Sequence, residues 1–455
     1  MLFHSPVFII FFVTFLAGFF IFKGQLQIVY TCVASFIFYA WWYPPYILLL
    51  LGLTLFTHFA CLKQVKSSLA LVLIILIGFL PLLVFKYANF ALSTLQPFIY
   101  IDVLPEDNWS LPIGISFITF TAIAYVLDVR AERIEKPTSI WTTGLFISFF
   151  PQLIAGPILR AKELIPQLHI MSIRLDRIKL FCLLFAIGAF KKVGVADQLA
   201  PFVDNAYTHV DEVDQLTALI AIYAFSIQIY CDFSGYTDMA LALAALLNVT
   251  LPINFFSPYG ATSIRDFWRR WHITLSRWLR DYLYIPLGGS HVSLARTVGA
   301  AIMTMALGGL WHGAGWSFII WGVLHGVLVS IEHVFSRLNF HLPVPDWLKT
   351  LVVFHIVTIL WVFFRAATLD DVGSMLQVSL LGPWNITKWS FTHIGLILTL
   401  CTLVLIGHAW DRLPNIVNLA TAVPAAVVVP FALMVALICS ALSVNNPSAF
   451  IYFDF

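Results

Sequence analysis

Apolar residues run along this chain in long blocks, near 5–22, 26–42, 46–62, 68–86, 111–128, 139–159, 176–195, 215–231, 235–250, 295–311, 316–335, 347–365, 393–410 and 423–443. A helix crossing a bilayer needs about 20 consecutive apolar residues. The strands of a membrane barrel would instead alternate over short segments. Several blocks are too short or too polar to cross alone. The pattern therefore predicts an all-α polytopic membrane protein, with about eleven transmembrane helices plus buried or re-entrant short helices. No repeat, low-complexity tract or linker divides the chain, so 1–455 is read as a single integral-membrane domain.

Composition narrows the class. Of 455 residues, 60% are apolar and 11% charged, against roughly 25% charged in soluble domains. Mean hydropathy is +0.91. These values exclude a soluble enzyme, a disordered chain and a secreted disulfide scaffold. A net charge of +2 gives no footing for nucleic acid. The six cysteines are scattered, without a CxxC pair or metal-ligand spacing, and read as buried apolar fillers, so no metal is expected. Met1–Pro6 lacks Lys and Arg before the first block, unlike a cleaved secretory signal, so the first span is expected to be retained.

Loop cations set the orientation. Lys23, Lys63 and Lys66 follow the first and third spans, and Arg130, Arg133 and Lys136 the fifth; Trp42–Pro45 has none, and the 87–110 loop is acidic. Odd-numbered spans are therefore expected to end in the cytoplasm, with the N-terminus outside. Lys86 is the one cation on the wrong side.

Residues 261–290 cannot be an ordinary span. Arg265, Arg269, Arg270, Arg277, Arg280, Asp266 and Asp281 sit among Trp268, Trp271 and Trp278. Seven charges facing lipid would cost on the order of 20 kcal/mol. The segment is predicted to be a helix at the interface, or one inside the bundle beside a wet cavity. Ser263 is placed to cap it and Pro286–Gly289 to end it. At helical spacing Trp268, Trp271, His272 and Trp278 share a face. Two readings fit: a cytoplasm-facing site for a phosphorylated ligand, since Arg forks match phosphate, or an amphipathic anchor on anionic headgroups.

His312 closes a span within Gly308-Gly309-Leu310-Trp311-His312-Gly313, and His325 lies in the next within Trp321-Gly322-Val323-Leu324-His325-Gly326. Histidine at membrane depth tends to face a bundle interior and suits proton transfer near neutrality. It also serves as a packing residue. The small neighbours would let another backbone or a ligand come close. Asp232–Asp238, Leu111–Phe117 and Phe150–Arg160 break other apolar runs with polar residues, Pro and Gly, as helices lining a cavity do.

Phe267–Gly289, with its Arg270-Trp271-His272 core, and Gly309-Leu-Trp-His312-Gly313 resemble the membrane-bound O-acyltransferase family, in its bacterial branch for alginate, peptidoglycan and cellulose O-acetylation. The likeness extends to Leu111–Phe117, Ala155-Gly-Pro157 and Asp232–Tyr236. It implies helices around a central funnel and transfer of acetyl from cytoplasmic acetyl-CoA, a substrate and not a resident cofactor, across a bacterial inner membrane. It implies His312 as the catalytic histidine and His272 as the second functional position. Phe450-Ile-Tyr452-Phe453 resembles the branch's terminal signature, with Ala449 where that signature has Pro; it implies that Tyr452 carries the acyl group toward a partner. Without the likeness, this aromatic cluster reads as an interfacial anchor.

On this reading Arg269, Arg270 and Arg277, with Trp268 and Trp271, hold acetyl-CoA, and His312 takes the proton of Tyr452 while His272 orients the thioester. The chain has no soluble transferase domain, so an extracytoplasmic O-acetyltransferase partner and a polysaccharide acceptor are expected, besides membrane lipid. The rival readings are a transporter of a small polar solute and a non-catalytic scaffold of a polysaccharide synthase.

Overall fold

A computed structural model describes residues 1–63, 67–96, 98, 111–339, 343–384, 391–445 and 450–451. The described residues are helical, joined by turns and without strands. Six of the helices have 18 residues or more and are apolar enough to cross a membrane: Ser68–Leu95, Gln215–Leu246, Leu294–His312, Trp316–Arg337, Asp346–Arg365 and Ala425–Leu442. Shorter apolar helices cover Pro6–Ile21, Gln25–Ala40, Tyr46–Leu62 and His393–Gly407. The chain is a multi-pass membrane protein.

Two compact units are formed, one from Met1–Ala189, Tyr236–Pro252 and Val423–Ser440, the other from Phe190–Gly235, Ile253–Ala422 and Ala441–Phe455. In the first, Pro6–Ile21 turns Phe8, Phe12, Phe15 and Phe19 inward, where Phe15 meets Phe150 edge-on at 5.1 Å. Its other face leaves Ile9, Ile10 and Val13 exposed, as a lipid-facing surface requires. The block at 139–159 is a half-helix, Ile140–Ser148, followed by turns. The Ser35 hydroxyl accepts from the Phe150 amide there at 3.2 Å, which satisfies a backbone group that the turn frees. Lys86 is buried, with Nζ 3.4 Å from Ser116 Oγ. It is an interior side chain, which is why it breaks the loop-charge pattern.

The second unit contains the hairpin Leu294–His312 and Trp316–Arg337. A Cβ on Gly309 would collide with the Phe318 carbonyl, and one on Gly322 with the Met305 carbonyl. The small residues therefore admit a neighbouring backbone.

One expectation is corrected. Gln215–Leu246 is a continuous 32-residue helix, and the polar stretch from Asp232 does not interrupt it. Asp232 points its carboxylate at Lys192, Nζ–Oδ1 2.6 Å, so the charge is matched inside the protein and the backbone has no reason to break.

Candidate functional site

The arginine-rich stretch folds as two seven-residue helices, Ile264–Arg270 and Ile273–Leu279, followed by a π-turn at Arg280–Tyr284. Ser263 caps the first, its hydroxyl accepting from the Asp266 amide at 3.0 Å. Glu332 adds its carboxylate to the same end, accepting from the amides of Ile264 and Arg265 at 2.5 and 3.0 Å. A single helix through His272 was expected, and the chain instead turns there. His272 is left-handed, φ 41° and ψ 53°.

The cause lies in a distant segment. The Phe256 amide donates to the Arg270 carbonyl and the Ile273 amide to the Asn254 carbonyl, both at 3.0 Å. Asn254 Oδ1 then accepts from the Thr274 amide at 3.2 Å and its hydroxyl at 2.6 Å. These bonds satisfy backbone groups that the break leaves open.

The turn drives the His272 ring into the interior, fully buried. Phe233 stands perpendicular to it at 4.7 Å, and His312 faces it with centroids 6.3 Å apart at 65°. His312 ends its helix beside Trp321 and Phe364, each 5.3 Å away. Burial pushes His272 down to about 3, so its imidazole is neutral at pH 7. His325 lies close by, its Nδ1 accepting from Trp268 Nε1 at 3.2 Å.

Along the same stretch lies a cavity of about 620 Å³, within the roughly 300–1,000 Å³ of small-molecule sites. Arg265, Arg269, Arg277, Arg280, Trp268 and His333 line it, and among its described lining residues there is no carboxylate. Guanidinium groups suit a phosphorylated ligand; of these four, Arg265 pairs with Glu332 at 3.4 Å and Arg280 with Asp281 at 2.7 Å. The structure therefore gathers Arg269, Arg277 and Trp268 on one cavity. Arg270 and Trp271 are not among its lining residues. Arg270 Nε bonds Asp266 Oδ1 at 3.0 Å. Trp271 is fully buried, stacked on Phe267 at 5.6 Å with Trp361 at 5.0 Å, and is a core residue. Tyr452 lies outside the described residues.

Sequence reasoning did not assign Arg265, Arg280 or His333 to this cavity. The two arginines carried the signal already, being part of the same cationic stretch. It also passed over Asn254 and a buried ion group: Lys192 Nζ meets Asp197 Oδ1 at 2.7 Å and Asp232 Oδ1 at 2.6 Å, with all three side chains almost fully buried. A lysine deep in an apolar run demands a counter-charge, and that was the available clue.

Two buried histidines and, in the same unit, an arginine-lined cavity that neither of them lines make up the candidate site of this multi-pass membrane protein. The profile of the membrane-bound O-acyltransferase family matches residues 7–367. Over 419 residues the chain is 38% identical to the peptidoglycan O-acetyltransferase of Helicobacter pylori, covering 83% of this chain and 79% of that protein. It is 37% identical over 406 residues to the probable alginate O-acetylase AlgI of Pseudomonas aeruginosa, covering 85% and 76%. A more distant relative, the teichoic acid D-alanyltransferase of Bacillus subtilis, is 26% identical over 284 residues, covering 56% and 68%. The chain belongs to the membrane-bound O-acyltransferase family and is an acyltransferase, which sets aside the transporter and scaffold readings.

Proposed function

We propose that this chain is an O-acetyltransferase of the bacterial inner membrane that takes acetyl from cytoplasmic acetyl-CoA for O-acetylation of an extracytoplasmic polysaccharide. The acceptor class follows the relatives that act on peptidoglycan and alginate. The observation that carries the reading is the His272–His312 pair buried in the unit that holds the arginine-lined cavity.

In this mechanism Arg269 and Arg277 grip the phosphates of acetyl-CoA and Trp268 walls the site. His312 accepts the phenolic proton of Tyr452 as its oxygen attacks the thioester carbonyl. A phenol of pKa about 10 needs such a base at neutral pH. The C–O bond forms, the C–S bond breaks, and the thiolate of CoA takes the proton from His312. Neutral His272 orients the thioester through its N–H and stores no proton. The aryl acetate on Tyr452 then passes acetyl to an extracytoplasmic transferase, which esterifies a sugar hydroxyl.

The relay is tested by Tyr452→Phe, which keeps the ring and removes the nucleophile. Polymer acetylation is expected to fall at least about 100-fold, the scale of losing a reacting group. Acetylation at the parental rate would mean direct transfer.

A further inference from the structure

The buried group Lys192–Asp197–Asp232 lies outside the chemistry above, yet it touches the segment that leads into Tyr452. Asp232 divides its two oxygens between two donors. Oδ1 takes Lys192 Nζ at 2.6 Å, and Oδ2 takes the backbone N–H of Ile451 at 2.8 Å. Phe450, the residue before, is fully buried with its ring 6.0 Å from Phe233. Phe233 in turn stands 4.7 Å from His272. Two consecutive residues of one helix, Asp232 and Phe233, therefore hold residues 450 and 451, and Phe233 also packs on His272.

The charges explain why this grip suits a buried place. Lys192 shares one ammonium between two carboxylates, where desolvation makes each charge depend on the donors close to it. The backbone N–H of Ile451, aimed at Asp232 Oδ2, is one such donor. Lys192 and Asp197 hold the carboxylate in place, and Asp232 presents its second oxygen to the chain.

We propose that Asp232, held by Lys192 and Asp197, is a positioning residue that seats the 450–451 segment and so sets where Tyr452 meets the histidine pair. This rests on the reading of Tyr452 as the acyl carrier. The residue type is restrictive. An amide offers one acceptor oxygen and one donor NH2, so Asp232→Asn can serve Lys192 or Ile451 and not both. Ile451→Pro deletes the N–H and leaves the ion group untouched.

The test is hydrogen–deuterium exchange of the 450–455 amides in the detergent-purified full chain, beside acetyl-transfer kinetics. Both variants are expected to exchange these amides at least ten-fold faster than the parent, read without position 451 in Ile451→Pro, which has no N–H there. The turnover number for polymer acetylation should fall at least ten-fold, with the KM for acetyl-CoA unchanged; a collapsed protein would move both. Should Asp232→Asn not fold, Ile451→Pro decides alone. Exchange at the parental rate in Ile451→Pro overturns the seat, even if Tyr452→Phe is inactive. Tyr452→Phe keeps its own N–H and should exchange as the parent does. Full transfer by Tyr452→Phe, with fast exchange in Ile451→Pro, would overturn the relay and leave the seat standing.

Discussion

His272 and His312 face each other across 6.3 Å at 65°, one from the break between two short helices and the other from the last residue of a span. Neither element places its histidine alone. Asn254 shapes the turn that carries His272, and the glycine-packed hairpin sets the end of the helix that carries His312.

Asn254→Ala should therefore damage catalysis from a distance. It removes an acceptor of two hydrogen bonds, from the Thr274 amide and hydroxyl, and leaves buried donors open at about 1–3 kcal/mol each. Turnover is expected to fall about 10- to 100-fold with little change in acetyl-CoA KM. Asn254→Asp, which keeps the acceptor oxygen, should recover part of it. Steady-state kinetics on purified variants decide this, and an unaffected turnover would detach the turn from the chemistry.

The cavity arginines make the opposite prediction. Arg269→Gln and Arg277→Gln each remove a charged donor worth about 1.5–3 kcal/mol, so acetyl-CoA KM should rise about 10-fold or more, with turnover largely kept. Arg270→Gln, whose parent guanidinium is held by Asp266, should change KM much less. Equal effects at all three positions would argue against this cavity as the donor site.

Acid should weaken the second unit through His408. Its Nε2 accepts from the Tyr259 amide at 2.9 Å, and burial pushes its pKa down to about 4 from the ordinary value near 6.5. The unfolded chain binds that proton more readily. The stability contributed is complete above pH 6.5 and is lost as pH falls toward 4. Unfolding midpoints in detergent should drop over this window, and less steeply in His408→Gln. Identical slopes would remove His408 from the acid response.

Much of this architecture was legible in the residues. The apolar blocks marked the spans, Ser263 was readable as a cap, and Gly288 and Gly289 end the arginine-rich stretch at φ 126° and 58°, where non-glycine residues are strained. The break at His272 was not legible, because helical spacing runs smoothly through it and its cause lies at Asn254–Phe256. The continuity of Gln215–Leu246 was hidden for the same reason. Asp232 looks like an interruption until Lys192, remote in sequence, is seen to neutralise it. The break at His272 also splits the face that helical spacing gives the tryptophans: Trp268 walls the cavity while Trp271, beyond the end of its helix, enters the core.

The central step is transfer of acetyl from acetyl-CoA to Tyr452, with His312 taking the phenolic proton. Peptide mass spectrometry of the purified protein, after incubation with isotope-labelled acetyl-CoA, tests it most directly beside His312→Ala. Label on Tyr452 in the parent, lost in the variant while expression and solubilised size are unchanged, is the predicted result. Label on Tyr452 that persists in His312→Ala, or a parent that turns over without ever carrying label there, would contradict it.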